Sequence, residues 1–586
     1  MQPSRVTVLL GGWIFAALLL VVAGWRGIIE RRFPDADDAM RLLEVRDWLA
    51  GQGWFDVAQH RLNGGDFPMH WSRLVDLPLA AAIVVLRPWC GTALAEHIAL
   101  VVVPLLTLLA ALSLIAAIAR RLGGEALVLP ALLMAALSIP LTFQLSPLRI
   151  DHHGWQIVLA LAATRGLIAT PTIRSGAICG LALALLLTIS LEGLPIAAAI
   201  GAVAGLGWVL QPGRGSMLRA MLVTLTSGAV ALHVATRGPD LWLPACDAVA
   251  PAWLATLAVA TAGVVAASTI ERFGAAARLM ALAAAGAAAG ATLVLLAPTC
   301  LAGPFGTLPP LVYRIWYLSV LEGRPLWEQQ SVWAVATLAL PVAGLLGAAI
   351  GWRHATPDMR DRWAMIATLL LAATATAVFV SRAGATANAL AAPAAAAWLR
   401  RVLVRARRIE RPMPRVVATV ATLTLAAPGT LAAGLLQSVS IERAAPEPPA
   451  LYRSCRSAGD MRALAALPTG TVFAPIDVTP ALLVDTPHRA VAGGYHRGAR
   501  AIARVITGFM ASPDAARGVI VASRADYVAV CPGMQELDAY RQRAPNGLWA
   551  RLARGERIAW LRPLPIRGPA LAWQVIRPLP EGRSAP

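Results

Sequence analysis

Three aspartates stand close together near the beginning of the chain. Asp35, Asp37 and Asp38 lie in segment 34–41, which reads PDADDAMR and follows the first long apolar run. Carboxylates at this spacing repel one another unless a cation or an arginine lies among them. Two interpretations stay open: a cation site near the membrane surface, or an acidic helix start, because aspartate favours the first turn of a helix.

A second polar group, Asp151-His152-His153, stands where a later apolar run begins. An aspartate and a histidine two residues apart offer oxygen and nitrogen ligands that suit a divalent ion. Polar groups without a function are unfavourable at such a place. The alternative is a helix cap made by Asp151 with interfacial histidines. A third segment, 317–325, reads YLSVLEGRP and contains Glu322, which alone indicates little.

The elements that position these groups are predicted from composition. The chain has 586 residues, of which 58% are hydrophobic and only 14% charged, whereas a soluble protein carries about 25% charge. Its mean hydropathy of +0.63 is that of a bilayer protein. We predict about 13 spans of roughly 20 residues, near 6–25, 94–118, 125–145, 153–170, 176–192, 194–211, 217–235, 250–268, 279–297, 332–352, 363–380, 384–399 and 416–436.

The basic residues set the predicted orientation of these spans. The formal net charge is +19, the chain has no lysine, and the arginines cluster between apolar runs. The clusters alternate as the positive-inside rule requires when the N-terminus is cytoplasmic, so topology explains them better than nucleic-acid binding. The external segments that stand out are then 27–92, 146–153 and 298–331, and the region after about 440 is external too. Segment 77–86 is predicted to be interfacial or re-entrant, since a further span would invert every later loop.

The chain is predicted to have two domains. Residues 1–439 would form the transmembrane domain with its external loops, and residues 440–586 an external α/β domain with short apolar runs between helical segments. Three prolines in segment 444–451 fit a boundary. Cys455 and Cys531 both lie in the second domain, where they could form a disulfide or remain two thiols.

Together the three polar motifs resemble those of the oligosaccharyltransferase catalytic subunit, a GT-C family of membrane glycosyltransferases. Asp37 matches the aspartate of the family's first external loop, because Asp47 follows at the matching distance. Asp35 is the alternative match to that aspartate. Segment 151–153 matches the Asp-His-His form of the archaeal members. Segment 319–322 is similar to the family's Ser-Val-Ser-Glu or Thr-Ile-x-Glu motif.

The resemblance extends to the C-terminal region with one departure. The family has Trp-Trp-Asp-Tyr-Gly there, which reads the Ser or Thr of an acceptor sequon, and segment 475–479 (PIDVT) is the most similar one in this chain. Asp477 matches the motif's aspartate, but neither tryptophan is present. The resemblance therefore does not support transfer to an Asn sequon.

The resemblance implies a set of site residues. Asp37, Asp151 and His153 would hold Mg²⁺ or Mn²⁺, with Glu322 nearby as a further ligand and catalytic residue. Asp37 could also act as a general base on an acceptor hydroxyl. Arg382 would bind the lipid phosphate, with snorkelling to the interface as the alternative. Asp477, His496 and Arg497 would contact the donor or the acceptor.

The implied architecture is an α-helical polytopic GT-C fold with an external α/β domain. The implied reaction is inverting transfer of a sugar or oligosaccharide from a polyprenyl-(pyro)phosphate carrier to a protein, glycan or lipid acceptor. It would take place at the outer face of the bacterial inner membrane, with the C-terminal domain in the periplasm. The alternatives are transfer to a lipid or envelope polysaccharide rather than protein, and a non-catalytic scaffold or transporter. Transporters place charges near the midplane and often show inverted repeats, whereas here the acids lie in external loops.

Overall fold

The computed structural model describes residues 4–439 and 453–577, which fall into two compact units. The first unit comprises the described residues of Met1–Trp25, Trp71–Gly303 and Leu321–Glu442. The second comprises those of Arg26–His70, Pro304–Val320 and Arg443–Pro586. The predicted domain boundary near residue 440, with its proline-containing segment 444–451, lies outside the described residues, so the division into 1–439 and 440–586 stays a prediction. Two external loops that the prediction grouped with the transmembrane part, however, cluster with the C-terminal region.

The first unit is built from helices whose sequences are mostly apolar. Its core is made mainly of small and aliphatic side chains that are buried between neighbouring helices. The α-helices are Arg5–Glu30 (its last turn in the second unit), Asp76–Gly123, Val128–Ala136, Ile139–Phe143, His153–Leu167, Ile173–Ile189, Leu194–Leu210, Gly215–Arg237, Pro251–Ala267, Ala275–Leu296, Ser331–His354, Pro357–Phe379, Gly384–Arg407, Pro412–Thr424 and Pro428–Val439.

The described residues contain eight helices that are long and apolar enough to cross a membrane, or nine if one bent pair near 412–436 counts as a single span. The prediction of a multi-pass helical membrane fold is therefore confirmed. The number of 13 spans stays a prediction. Some predicted spans form helices that are too short, as His153–Leu167, or carry many arginines, as Gly384–Arg407.

The helix Asp76–Gly123 is 48 residues long and is interrupted at Gly91, whose φ is 76°. An unbroken helix of this length would measure about 72 Å, more than twice the hydrocarbon core of a bilayer at about 30 Å. The interruption separates an apolar helical segment of about 15 residues from the long helix that follows. Segment 77–86, predicted to be interfacial or re-entrant, lies in that first part.

Small residues allow the helices of the first unit to pack closely. A Cβ atom added to Gly176 or Gly180 would lie 2.2 Å from the carbonyl oxygen of Met217 or Met221 on the neighbouring helix. These glycines are four residues apart, the spacing that lets two membrane helices approach. Asn388 adds a buried polar link, because its side-chain nitrogen donates to the carbonyl oxygen of Thr337 at 2.9 Å.

The second unit contains a two-stranded ribbon and a five-stranded mixed sheet, as expected for an α/β domain. The strands are β1 (Ala58–Gln59), β2 (Phe67–Pro68), β3 (Thr471–Phe473), β4 (Arg489–Ala490), β5 (Tyr527–Val530), β6 (Leu561–Leu564) and β7 (Leu571–Val575). β1 pairs antiparallel with β2. The larger sheet has the order β4-β3-β5-β7-β6, in which β3 is parallel to β4 and β5, and the pairs that include β7 are antiparallel.

Helices cover the five-stranded sheet and carry its apolar core. Buried Phe473 and Phe509 contact each other with ring centroids 5.3 Å apart. The α-helices of the unit are Ala36–Leu49, Pro310–Ile315, Thr479–Asp485, Ala499–Met510, Pro513–Ala522, Gln535–Arg543 and Leu548–Ala553. The observed sheet and helices confirm the predicted small α/β region.

The first external loop is anchored to the C-terminal region by backbone contacts. Leu62 forms a parallel β-bridge with Ala490. The guanidinium of Arg61 donates to the carbonyl oxygens of Leu483 at 2.7 Å and of Thr486 at 2.8 Å. These contacts explain why the loop belongs to the second unit although it is distant in sequence.

Two disulfides are formed, one in each unit. Cys455 is bonded to Cys531, the pair that the sequence left open between a disulfide and two thiols. Cys246 is bonded to Cys300 in the first unit. Cys300, Cys455 and Cys531 lie in the external segments predicted above. Cys246 lies between the predicted spans 217–235 and 250–268, where the same alternation of spans predicts a further external loop.

Candidate functional site

Asp151, His152 and His153 are buried at the start of the helix His153–Leu167, with 5%, 6% and 5% of their surface exposed. The chain reaches this helix through Leu148, which has a positive φ of 71° and donates its backbone N–H to Leu100. The turn therefore brings three polar residues into the interior, where each polar atom requires a partner.

The carboxylate of Asp151 binds both imidazoles. Its Oδ1 lies 2.5 Å from Nδ1 of His152, and its Oδ2 lies 2.6 Å from Nδ1 of His153. Because an ionised carboxylate can only accept a hydrogen bond, each Nδ1 carries a hydrogen, and Nε2 of each ring is directed away from Asp151. Burial opposes ionisation, but the two histidines outweigh it and hold the pKa of Asp151 well below its usual range.

Glu192 connects the imidazoles to an arginine. Its Oε2 lies 3.4 Å from Nε2 of His152 and 3.6 Å from Nε2 of His153. Its Oε1 lies 2.9 Å from Nη1 of Arg382, which is also 3.4 Å from Oε1 of Glu322. The predicted residues Asp151, His153, Arg382 and Glu322 thus belong to one continuous network in the first unit. We call it the Asp151–Glu322 network.

Short helical turns at the ends of apolar helices carry this network. Glu192 lies in the 3-10 turn Leu191–Gly193, Glu322 in Leu321–Gly323 and Arg382 in Ser381–Ala383. The last two turns are joined by a backbone hydrogen bond from Ser381 to Arg324, 3.0 Å long. The side chains of these three residues are partly exposed, 17% for Arg382, 37% for Glu192 and 31% for Glu322.

The donor atoms of the network suit a divalent ion. His153 Nε2 is buried and has no hydrogen-bond partner in the described part of the chain, although such an atom normally requires one. Imidazole nitrogen and carboxylate oxygen are common ligands of Mn²⁺ and Zn²⁺. The residues present therefore fit a metal ion, which supports the predicted involvement of Asp151 and His153.

Asp35 and Asp37 lie in the second unit, at the start of the helix Ala36–Leu49. Asp35 is the N-cap residue, and its Oδ1 accepts a hydrogen bond from the backbone N–H of Asp37 at 3.0 Å. Asp38 is completely buried. The helix-cap interpretation is thus correct for Asp35, whereas the predicted metal-binding and catalytic roles of Asp37 stay predictions.

Asp477 lies in a loop after β3 that is held by a glutamate the sequence did not reveal. Oε1 of Glu536 accepts a hydrogen bond from the backbone N–H of Ile476, and its Oε2 accepts one from the backbone N–H of Asp477, both at 2.9 Å. The hydroxyl of Tyr540 donates a further hydrogen bond to Oε1. Loss of hydration and the charge of Asp35 raise the pKa of Asp477 to about 6, although its side chain reaches solvent. Loss of hydration and the charge of Asp477 raise the pKa of Glu536 to about 8.

His496 and Arg497 lie in a 3-10 turn of the second unit. Arg497 donates to the carbonyl oxygens of Pro68 and Met69 at 3.4 and 3.3 Å, so its guanidinium holds a backbone segment. The His496 ring contacts the ring of Phe305 with centroids 5.2 Å apart. The predicted contacts of both residues with donor or acceptor stay predictions.

Similar structures are found among archaeal oligosaccharyltransferases, whereas no protein-family model and no curated protein matches the chain. AglB from Archaeoglobus fulgidus, in complex with an inhibitory peptide and a dolichol-phosphate, has a TM-score of 0.69 at 14% identity. That alignment covers 95% of this chain and 72% of AglB. The A. fulgidus enzyme tethered to a peptide with an NVT sequon has a TM-score of 0.64 at 14% identity, over 93% and 72% of the two chains.

A third structure, the A. fulgidus oligosaccharyltransferase with Zn and sulfate, has a TM-score of 0.62 at 13% identity and covers 89% of this chain and 67% of the other. At such low identity the likeness defines the fold. This chain has the fold of an oligosaccharyltransferase catalytic subunit, and the predicted resemblance to that GT-C class is confirmed at the level of the fold.

Proposed function

We propose that the protein is a membrane glycosyltransferase that moves a sugar or oligosaccharide from a polyprenyl-(pyro)phosphate carrier to an acceptor, with inversion. The observation that carries this proposal is the Asp151–Glu322 network. It combines a metal-compatible donor set with an arginine, inside a fold shared with enzymes of lipid-linked sugar transfer. Transporters place their charges near the midplane, whereas the predicted topology places the residues of this network in or beside external loops.

Arg382 is the candidate for binding the carrier phosphate. Its planar guanidinium suits a phosphate group, and the carboxylates of Glu192 and Glu322 hold it in place. A bound Mg²⁺ or Mn²⁺ would neutralise charge on the leaving phosphate. The buried imidazoles and Asp151 hold the ligand atoms in one fixed arrangement before substrate arrives, so no reorganisation is needed during transfer.

The sequence resemblance assigns Asp37 the role of metal ligand or general base, and we retain that assignment as a proposal. An Asp37→Asn variant is expected to lose transfer while remaining folded, because Asp35 rather than Asp37 supplies the helix cap. An Asp37→Asn variant with full transfer would remove Asp37 from the proposed chemistry.

The acceptor is proposed to be a lipid or an envelope polysaccharide rather than an Asn sequon. The similar A. fulgidus enzyme was tethered to a peptide containing the NVT sequon, but segment 475–479 lacks both tryptophans of the family's motif. Ile476, which stands where the second tryptophan would be, is only 2% exposed. This segment therefore offers no aromatic surface for reading a hydroxyl residue.

The proposed location is the bacterial inner membrane, with the second unit in the periplasm. The alternation of arginine clusters supports this orientation. The two disulfides support it as well, since disulfides persist in oxidising compartments.

Mass spectrometry of glycoproteins, glycolipids and polysaccharides from a deletion strain tests the proposal. One saccharide is expected to disappear from one acceptor class and to return with the wild-type gene but not with His153→Gln or Arg382→Gln. His354→Gln, at an exposed site of the same unit, serves as the control. Unchanged glycans in the deletion strain would contradict a transferase function.

A further inference from the structure

We propose that anionic phospholipids bind at the end of the helix Gly384–Arg407, with their phosphates on a group of arginines and their acyl chains along the next helix, Pro412–Thr424. Both helices belong to the first unit. This inference does not depend on the proposed transfer reaction. The group, called here the arginine cluster, consists of Arg400, Arg401, Arg405, Arg407, Arg408, Arg411 and Arg415.

The first argument is that the charge of the arginine cluster is not neutralised. Segment 400–415 contains seven arginines and a single carboxylate, Glu410. Within the described part of the chain, none of the seven guanidiniums forms an ion pair or a side-chain hydrogen bond. Other arginines of the unit have acidic partners, as Arg5 has in Glu125 at 2.6 Å. The positive-inside rule accounts for arginines in this segment but not for the lack of neutralising carboxylates.

The second argument is the spacing of the charges. Arg401, Arg405 and Arg408 are separated by four and three residues, which places them on one face of the helix, and like charges at this spacing destabilise a helix. The helix dipole attracts cations only near the last turn, so it does not account for Arg400 and Arg401. A phosphate group between the side chains would relieve the repulsion, and the planar guanidinium binds phosphate oxygens in pairs.

The third argument is an apolar stripe beside the arginine cluster. The stripe consists of Met413, Val416, Val417, Val420 and Leu423, each more than half exposed. Steps of three and four residues place these side chains on one face of the helix Pro412–Thr424. A soluble anion would leave this face uncovered, whereas acyl chains would cover it. Since the stripe begins two residues after Arg411, one molecule with a phosphate and apolar chains fits both features.

The fourth argument is the position of the arginine cluster along its helix. The helix Gly384–Arg407 has 24 residues and is therefore about 36 Å long, close to the thickness of a bilayer's hydrocarbon core at about 30 Å. Arg382 of the Asp151–Glu322 network precedes its first residue, and the arginine cluster lies at its other end. In the predicted topology the cluster is cytoplasmic, where groups of about four to eight basic residues beside a membrane helix bind anionic headgroups.

Lipid binding to the full-length protein in neutral detergent tests the proposal. Phosphatidylglycerol and phosphatidylcholine with the same acyl chains are added separately, and native mass spectrometry measures the bound lipid. The wild type is expected to prefer phosphatidylglycerol and to gain unfolding temperature from it, because a ligand of the folded state stabilises that state. The variant Arg401→Gln/Arg405→Gln/Arg408→Gln should bind phosphatidylglycerol about tenfold more weakly or less, with unchanged binding of phosphatidylcholine.

Two further variants control for charge and for folding. Arg543→Gln/Arg557→Gln/Arg567→Gln removes the same charge from exposed sites of the second unit and should bind phosphatidylglycerol like the wild type. The triple variant of the arginine cluster should unfold no earlier than the wild type when only phosphatidylcholine is present, because it relieves the repulsion. Arg401→Lys/Arg405→Lys/Arg408→Lys keeps the charge and should retain most of the preference for phosphatidylglycerol.

Three results would overturn the proposal. The first is equal affinity of the wild type and the cluster variant for phosphatidylglycerol. The second is equal stabilisation of the wild type by inorganic phosphate at the same concentration, which would assign the arginine cluster to a soluble anion. The third is a dimer of the wild type that the cluster variant does not form, seen in the same mass spectra without bound lipid, which would assign this surface to a second copy of the chain.

Discussion

Glu192 shows what sequence patterns reveal at the scale of single residues and what they do not. The Asp151-His152-His153 motif was recognisable, because ligand types at short spacing are visible in one segment. Glu192 is an isolated carboxylate at the end of a predicted span, and its partners His152 and Arg382 are distant in sequence. A charged residue beside an apolar run is energetically unfavourable in a membrane protein unless it has a function. This rule marks Glu192 as a candidate but does not identify its partners.

The raised pKa values of Glu536 and Asp477 predict that the folded protein becomes less stable at higher pH. Their pKa values are raised to about 8 and about 6, above the usual 4.5 and 3.8, so folding favours the protonated forms. Stability is then greatest below the usual values and is lost as the pH rises through 6 and 8. The unfolding temperature of the wild-type protein is expected to fall between pH 5 and pH 8.

An Asp477→Asn variant should reduce that fall by roughly 2–4 °C, the shift that about 1 kcal/mol causes in a unit of this size. The asparagine side chain leaves in place the backbone N–H that Glu536 accepts but removes the neighbouring charge. Differential scanning fluorimetry at both pH values measures the effect, with the exposed Asp514→Asn variant as control. An equal fall in Asp477→Asn and wild type would show that this pair does not control the pH dependence.

His60 provides a second prediction at the residue scale. Its Nε2 lies 2.9 Å from Asp56 and its Nδ1 lies 2.6 Å from Asp66. Hydrogen bonds to Asp56 and then Asp66 raise the pKa of His60, because only the protonated ring can donate to both carboxylates. This stabilisation is present at low pH and is lost as the pH rises through the raised pKa. Segment 56–66 should therefore exchange amide hydrogens more slowly at pH 6 than at pH 9, after correction for intrinsic rates.

In a His60→Gln variant this extra protection should be absent, because a glutamine side chain does not change its charge with pH. Hydrogen exchange measured on peptides of segment 56–66 compares the two proteins. The same pH dependence in both would exclude the imidazole as its cause.

At the scale of elements, helix existence was predictable and helix interruption was not. Apolar runs define most spans of the first unit, because a helix in lipid must satisfy its own backbone. The break at Gly91 and the short turns that carry Glu192, Glu322 and Arg382 depend on tertiary packing. A hydropathy pattern contains no information on that packing. For the same reason, segment 304–320 was predicted as an external loop without any indication that it clusters with the second unit.

The contact between the helices Ile173–Ile189 and Gly215–Arg237 gives a prediction at this scale. A side chain at Gly180 would meet the backbone of Met221, since a Cβ atom would lie 2.2 Å from its carbonyl oxygen. Overpacking lowers the free energy of unfolding by about 1–3 kcal/mol. The loss for Gly180→Leu should be at the upper end of this range, because the new side chain would meet backbone atoms rather than a flexible side chain. Fluorescence-detected size exclusion after heating should show a lower unfolding temperature or no folded protein.

Gly201→Leu is the matched control, because no atom lies within 4 Å of a Cβ atom added to Gly201. This variant should behave like the wild type. Equal stability of Gly180→Leu and Gly201→Leu would mean that the two helices do not approach as closely as described.

At the scale of the whole molecule, the topology derived from arginine positions and the disulfides make one joint prediction. The chain has six cysteines. Cys246–Cys300 and Cys455–Cys531 are bonded, and Cys90 and Cys179 are free. The four bonded cysteines lie in segments that the positive-inside rule places outside the cytoplasm. An oxidising outer compartment would therefore form both bonds during assembly.

The protein is produced in a host with an oxidising periplasm and then denatured. Without reductant, each molecule should react with two maleimide-polyethylene glycol molecules, and after reduction with six. In a host that lacks periplasmic disulfide formation, six should react even without reductant. The paired variant Cys455→Ser/Cys531→Ser should have two reactive thiols without reductant and four after reduction, which assigns the remaining bond to Cys246 and Cys300. Six reactive thiols in protein from an oxidising periplasm would place these segments in the cytoplasm. The Asp151–Glu322 network would then face the wrong side of the membrane for transfer at the outer face, because the same topology assigns both to the exterior.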